Sequence, residues 1–208
     1  MGGIDWGAAG EAAGVWGVWV APVLLGLGLA SATGLRTFLP LLLLALAARF
    51  EMFGIRLNEQ MDWLVSLPAI TALGIAAIAE FLGDKVPAVD HALNAAGWVT
   101  RPVAGAVAAA SVFWAQDPTT AAIAGLIVGA PTALAFTGAQ GGVRVASTAT
   151  TGGLGNPLVS LVEDVLSVVT VFLALLAPIL VPVLLLVLMV VLFRLGRKLK
   201  RRLAAQPS

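Results

Sequence analysis

The chain has 208 residues, of which 60% are hydrophobic and 11% carry a charge, with a mean hydropathy of +1.00 and a formal net charge of +1. Because a soluble domain carries about 25% charged residues, this composition excludes an ordinary water-soluble protein and predicts an all-α, polytopic membrane helix bundle. The chain has no cysteine and a single histidine, which excludes a disulfide framework, thiolate catalysis and cysteine or histidine metal clusters.

The first half of the chain alternates apolar runs with short polar breaks. An acidic N-terminal flank, residues 1–14, precedes a predicted span over residues 15–33. The next apolar run, 38–50, would be about 20 Å long as a helix, which is short for a hydrocarbon core of ~30 Å. It is therefore either a short span or a re-entrant half-helix, and a full span is predicted at 63–82.

The second half begins with a more polar segment. Residues 87–100 carry Asp90 and Asn94 four positions apart, with Arg101 seven positions later, which predicts a helix lying along the membrane interface. The remaining predicted elements are, in chain order, spans at 102–115 and 119–136, a small-residue loop at 137–155, and spans at 158–176 and 178–195.

These elements predict one transmembrane domain, residues 15–195, with six or seven segments and two halves at 15–117 and 118–195. A basic tail, 196–208, is expected to be cytoplasmic and to bind anionic lipids. If all seven segments cross, ten of the twelve Lys and Arg residues lie inside, and nine do if 38–50 re-enters. The expected location is therefore the cell (inner) membrane, with a cytoplasmic C-terminus.

Two neighbouring acids, Glu163 and Asp164, interrupt the apolar run 157–193. A charge in hydrocarbon costs at least ~2.5–3.5 kcal/mol, so acids there are candidates for function. Glu80 lies near the end of a helix running the opposite way and should reach a similar depth in the same leaflet. We therefore predict a proton- or cation-binding site that contains these three carboxylates.

The acids could share a proton, pair with basic residues or bind a hard cation through oxygen, and whether a metal binds is left open. The alternative is that each acid is neutral or paired and only fixes helix packing. Since Glu163 and Asp164 point about 100° apart on a helix, one should face a cavity and the other a neighbouring helix. The predicted surrounding polar network contains Arg36, Asp84, Lys85, Asp90, Arg101 and Arg144.

Two similar Gly/Pro breaks flank these acids, at residues 33–40 and 151–157. Such breaks in the two halves of a transporter expose backbone groups at a central site, so an inverted repeat is predicted, with membrane-edge turns as the alternative. The residues expected to supply these backbone groups are Gly34, Pro40, Gly152, Gly155, Asn156 and Pro157.

Three motifs resemble a family of integral membrane proteins known as a domain of unknown function, number 4126. They are EFLGDKVPAVD at 80–90, RPVAGA at 101–106 and GNPLVSLVED at 155–164, and the resemblance covers about residues 24–181. It implies the fold and no activity. Residues 80–85 are also similar to the Glu-x-Gly-Asp-Lys/Arg motif of membrane cation/proton exchangers, with one extra residue before the glycine.

The sequence therefore predicts a small secondary transporter or ion permease that uses its intramembrane carboxylates. The alternatives are a non-transporting scaffold or accessory subunit, and a transporter of a small anion or lipid headgroup drawn by Arg36 and Arg144. An enzyme is not expected, because the nucleophile and base pairs of known active sites are missing. No cofactor and no nucleic-acid partner is expected, and a homo-oligomer is left open.

Overall fold

A computed structural model describes residues 14–204, which form seven α-helices and contain no strand. The predicted all-α class is therefore confirmed. Residues 1–13 of the predicted acidic flank and residues 205–208 of the predicted tail lie outside the described range. The helices are α1 Ala21–Leu35, α2 Leu39–Arg49, α3 Leu67–Gly83, α4 Pro87–Ser111, α5 Pro118–Thr151, α6 Asn156–Leu176 and α7 Val181–Ala204.

Shorter helical turns connect or extend these helices. A π-helical turn, Trp16–Val20, runs directly into α1, and a 3-10 turn, Met52–Gly54, follows α2. The 3-10 segments Glu59–Val65 and Pro178–Leu180 precede α3 and α7. The predicted basic tail is mostly part of α7, which continues as a helix to Ala204.

The ends of the helices follow from residues with capping chemistry. Asp117 accepts hydrogen bonds from the backbone N–H groups of Thr119 and Thr120, both at 3.1 Å, at the start of α5. Ser66 accepts one from Ala69 at 3.3 Å at the start of α3. At its other end α5 stops at Gly152, whose φ of 62° is a left-handed conformation that glycine adopts without strain.

The prediction of an interface helix at 87–100 and a separate span at 102–115 was wrong. Both segments belong to α4, a continuous helix of 25 residues with Pro102 inside it. Proline removes one backbone hydrogen bond, which favours a break in an isolated helix. Here α4 packs along α5, and that packing outweighs the lost bond.

The predicted loop at 137–155 was also wrong. The helix that begins at Pro118 continues for 34 residues to Thr151, so only the turn at 152–155 separates it from α6. The segment is rich in Gly, Ala, Ser and Thr, which resembles a loop in composition. Its Gln140 and Arg144 nevertheless lie four residues apart and are both buried, as expected for one face of a packed helix.

Consecutive helices run in alternating directions, so that their ends meet at two sides of the bundle. One end holds Arg36 after α1, Asp84 after α3 and Asp90 in the first turn of α4. The opposite end holds Asn58, whose side-chain amide donates to the carbonyl oxygens of Phe113 and Gln116 at 3.1 and 3.0 Å. We call the first of these the polar end.

Helix α1 lies at the centre and packs against α4, α5 and α6. Its Leu29, Ala30 and Ala32 have no exposed surface. Small residues allow the neighbouring helices to approach closely. The tightest approach joins α4 to α5, where a Cβ added at Gly129 would collide with the carbonyl oxygen of Gly105.

Within residues 14–204, three helices are long and apolar enough to cross a membrane: Trp16–Leu35, Pro118–Thr151 and Asn156–Leu176. A fourth span exists if Glu59–Val65 and α3, which are bent by 63° at their junction, count as one. Large apolar side chains such as those of α5 point outward, where a soluble protein would rarely place so many. The chain is therefore a membrane protein.

Candidate functional site: a buried acid–arginine network

Glu163 is bound by side chains of the neighbouring helix α5. Its Oε2 accepts hydrogen bonds from Arg144 Nη2 at 2.5 Å and from Gln140 Nε2 at 2.9 Å, and Arg144 Nε lies 3.2 Å from both carboxylate oxygens. The residue is only 5% exposed. Because Glu163 lies two turns into α6, these bonds join α5 and α6 at the polar end.

Arg144 connects Glu163 to two further carboxylates. Its Nη1 pairs with Asp90 on α4, and its Nη2 lies 3.5 Å from Asp84, at the C-terminal end of α3. Asp90 also accepts a hydrogen bond from Asn94 at 2.9 Å. One buried guanidinium therefore holds α3, α4 and α6 against α5.

Arg36 performs the same role at the end of α1. Its Nη1 pairs with Asp84, while its Nη2 donates to the backbone oxygen and the hydroxyl of Ser160 at 2.9 and 2.6 Å. The Ser160 hydroxyl in turn donates to Asp84 at 2.9 Å. Asp84 is thus shared between Arg36 and Arg144 and links the two arginines into one network.

Asp164 is the least satisfied acid of this region. Its Oδ1 lies 2.6 Å from Arg36 Nε, but the N–H is not aligned for a hydrogen bond, so the contact is electrostatic. Its Oδ2 is buried and has no hydrogen-bond partner among the described residues. Glu163 and Asp164 therefore face different partners, as their separation of about 100° on the helix requires.

Glu80 is bound by backbone groups. Its two carboxylate oxygens accept hydrogen bonds from the N–H groups of Thr37 and Phe38 at 3.0 and 3.3 Å. These N–H groups belong to the break before α2, where the helix dipole is positive. Sequence reasoning placed Glu80 beside Glu163 as its companion, whereas its hydrogen bonds cap the start of α2.

Arg101 has fewer partners than the other two buried arginines. It is 3% exposed, and its Nη1 donates to the side-chain oxygen of Gln140. Its Nε has no hydrogen-bond partner, and no carboxylate of the described residues lies within 4.0 Å of its guanidinium. Gln140 therefore connects Arg101 to Glu163 through a neutral amide.

Carboxylates outnumber guanidinium groups at the polar end. If the five carboxylates and three arginines named below are all ionised, their formal charges sum to two units negative. Removing that many charges from water without full pairing costs several kcal/mol per ion. We define the acid–arginine network by these residues, which are the acids Glu80, Asp84, Asp90, Glu163 and Asp164 and the bases Arg36, Arg101 and Arg144.

The other predicted residues lie around this network. Lys85 is exposed, and its Nζ lies 3.9 Å from the ring centroid of Phe81. Gly34 and Pro40 of the first break are buried.

The second break makes local contacts. Asn156 donates to Thr148 at 3.0 Å, the Gly155 N–H donates to Thr151 at 2.9 Å, and Gly152 and Pro157 end and begin the flanking helices. Both breaks lie at the polar end and follow helices that run the same way. The predicted inverted repeat is not confirmed, because a repeat relating two such breaks would be parallel.

Two cavities lie beside the network. One of about 650 Å³ lies between α4 and α5 and includes Arg101, Gln140 and Arg144 in its lining. Another, of about 380 Å³, lies next to α2 and α3 and includes Arg36, Glu80 and Asp164. Glu163 lies between them and lines neither.

The network offers no ready site for a metal ion within the described part of the chain, because no three His, Asp or Glu side chains there are arranged as ligands. Most of its carboxylate oxygens are held by arginines or backbone amides. The excess of carboxylates can support proton binding, ion pairing and electrostatic attraction of a cation.

Sequence reasoning missed two members of the site, Gln140 and Ser160. Both are neutral, so the search for charges in apolar runs did not find them. Their spacing carried a signal, because Gln140 lies four residues before Arg144 and Ser160 lies three before Glu163, which places each pair on one helix face.

Comparison with known proteins identifies the family. No curated protein and no solved structure matches the chain. The model of one family, described as Domain of unknown function (DUF4126), matches residues 23–198, which is most of the chain and includes every member of the acid–arginine network. The chain therefore belongs to this family of proteins with a domain of unknown function.

Proposed function

We propose that the protein is a small secondary transporter or ion permease that binds protons or cations at its intramembrane carboxylates. The observation that carries this proposal is the excess of acids over arginines in a buried network. A network that only fixed helix packing would be expected to balance its charges, because unpaired buried charge is costly. An excess of two negative charges favours the binding of protons or of a cation at the polar end.

Asp164 is the carboxylate that best fits a proton-binding role. It borders the cavity of about 380 Å³, and its Oδ2 has no hydrogen-bond partner within the part of the chain described. A proton on that oxygen would lower the charge of the network without breaking a hydrogen bond. Glu163 has partners on both oxygens, so its role would be to transmit the change to α5.

The alternating direction of the helices supports a multi-pass arrangement. We propose that six or seven segments cross the inner membrane, with α2, of 11 residues, as the short one. The polar end would face the cytoplasm together with the basic end of α7, as the distribution of Lys and Arg along the chain favours. The exposed Arg49 and Arg56 would lie on the opposite side.

The test is ion flux in proteoliposomes under an imposed pH gradient, screened across monovalent and divalent cations. The wild type should move protons or a cation in a pH-dependent way. Glu163→Gln and Asp164→Asn should each lower that flux at least about tenfold, since a buried charge-assisted contact contributes ~1.5–3 kcal/mol.

The matched control is Glu59→Gln, an exposed acid far from the network. It should transport like the wild type. If wild-type flux equals that of empty liposomes for every ion tested, the transporter proposal fails and the accessory-subunit alternative replaces it. Equal flux in Glu163→Gln, Asp164→Asn and the wild type would show that these two carboxylates do not take part in transport.

A further inference from the structure

The cavity between α4 and α5 has one charged side chain whose charge is not matched. Arg36 and Arg144 each contact at least two carboxylates. Among the described residues, Arg101 has no carboxylate within 4.0 Å and hydrogen-bonds to the neutral Gln140, although it is 3% exposed. Buried cations in proteins are paired as a rule, because leaving one unpaired costs several kcal/mol.

The position of Arg101 suggests which kind of ligand could bind to it. Arg101 lines the cavity of about 650 Å³, a volume within the range of ~300–1,000 Å³ that is usual for small-molecule sites. A guanidinium presents several N–H groups in one plane and binds two oxygens of a carboxylate or phosphate together. A carboxylate or phosphate is therefore the kind of group that could bind the Arg101 N–H groups left without a partner.

The rest of the cavity wall is suited to an apolar group. The indole of Trp98 lies beside the glycines of α5, and a Cβ added at Gly138 or Gly141 would lie 3.7 or 3.9 Å from it. At Gly142, which also lines the cavity, an added Cβ would meet nothing within 4 Å. These glycines of α5 and the indole of Trp98 therefore line the same cavity as Arg101.

Asp90 lines the same cavity, but its negative charge is already neutralised by an ion pair. Asp90 is already paired with Arg144 and hydrogen-bonded to Asn94. Gln140 lies between Arg101 and Glu163, so Glu163 makes no direct ion pair with Arg101. An anion at Arg101 would give a direct ion pair to the buried arginine that has no carboxylate of the described residues within 4.0 Å.

We propose that this cavity binds an organic anion, a carboxylate or phosphate with an apolar portion, through Arg101 and with its apolar portion against Trp98. This proposal rests on the proposed function only where it makes the anion a transported substrate. Binding of the anion can be measured without transport. The anion comes either from a soluble molecule or from a lipid headgroup. Val99 and Val145, on the outer faces of α4 and α5, are 69% and 71% exposed, so this side of the bundle borders lipid.

Binding is tested on the purified full-length protein with hexanoate and hexyl phosphate as probes. Hexanol and hexylammonium are the neutral and cationic controls. The anions should raise the melting temperature and change the tryptophan fluorescence, and the controls should do neither. Trp98→Phe should remove the fluorescence change and retain the thermal shift, which locates the ligand beside Trp98.

Arg101→Gln should weaken binding of both anions at least about tenfold, the loss expected for a charge-assisted bidentate contact. Arg56→Gln, an exposed arginine outside the cavity, should bind like the wild type. Gly142→Leu retains Arg101 but fills the space beside it, and it should also abolish binding. This variant keeps the proposal testable if Arg101→Gln does not fold.

A second arm separates the two sources of the anion. The protein is placed in nanodiscs of phosphatidylcholine alone or mixed with phosphatidylglycerol. Stabilisation by the soluble anions in detergent identifies a soluble organic anion. Stabilisation by phosphatidylglycerol alone, lost in Arg101→Gln or Gly142→Leu, identifies a lipid headgroup at the same site.

The proposal is overturned if no anionic probe binds, or if Arg101→Gln and Gly142→Leu bind anions as the wild type does. Its failure is distinguishable from that of the transport proposal. Proton or cation flux that depends on Glu163, with no anion binding, would refute the anion site and leave the transport proposal intact. Anion binding that depends on Arg101, with no flux, would remove the transport function and leave the site.

Discussion

Arg144→Gln should be the most destabilising single change in the acid–arginine network. Arg144 is the common partner of Asp84, Asp90 and Glu163. Its removal leaves the network three charges negative if all the acids are ionised. Removing one partner of a buried ion pair typically costs ~3–5 kcal/mol, because the other charge stays buried without compensation.

Replacing an acid should cost less than replacing an arginine. Glu163→Gln leaves Arg144 paired with Asp90 and close to Asp84, and it lowers the excess negative charge by one. The expected loss is ~1.5–3 kcal/mol, the contribution of hydrogen bonds to a charged group. For a chain of this length, Arg144→Gln should lower the melting temperature by about 6–20 °C and Glu163→Gln by less.

Thermal unfolding of the detergent-purified variants, followed by near-ultraviolet circular dichroism, measures both changes. The double variant Arg144→Gln/Glu163→Gln should be more stable than the sum of the single effects predicts, since it removes a charge of each sign. The reasoning is refuted if Glu163→Gln costs as much as Arg144→Gln, or if the two effects are additive.

Three further changes test other parts of the structure. Gly129→Ala should destabilise by ~1–3 kcal/mol through collision with Gly105, while Gly74→Ala, in open space on α3, should have no such cost; thermal unfolding compares them. Glu80→Gln should speed amide hydrogen exchange at the start of α2, because a neutral amide caps it less well, and unchanged exchange would contradict the capping role. Hydrogen bonds from Thr120 lower the pKa of Asp117 below its usual 3.8, so the ionised side chain stabilises the folded state above that pH, and this stabilisation is lost as the pH falls through the lower folded value. Asp117→Ala should remove this acid-dependent fall in melting temperature from measurements made across a range of pH. An unchanged fall would exclude Asp117 as its source.

Charged residues at the polar end could be found from the sequence, and their partners could not. Glu163 and Arg36 stand out because charge is costly in an apolar run. The choice of partner depends on how helices far apart in the chain pack together. Glu80 illustrates this, since only the folded chain brings the amides of Thr37 and Phe38 to its carboxylate.

The helix boundaries predicted from the sequence were wrong where the local composition resembles that of a turn or loop. Pro102 and the small residues after position 136 are typical of turns in isolation, yet α4 and α5 continue through both. The energy that keeps them helical comes from close packing of the two helices at Gly105 and Gly129, which depends on residues more than twenty positions apart. Neutral Gln140 could have been found only by its spacing from Arg144.

The position of Arg36 has a consequence for how the protein is made. Ser160, its hydrogen-bond partner on α6, lies 124 residues later in the chain, so α1 enters the bilayer long before that partner is synthesised. Until α6 inserts, the growing chain carries an arginine at the polar end without the groups that complete its shell. Asp84 is made earlier and can pair with Arg36 first, and insertion of α6 then adds Ser160 and Asp164.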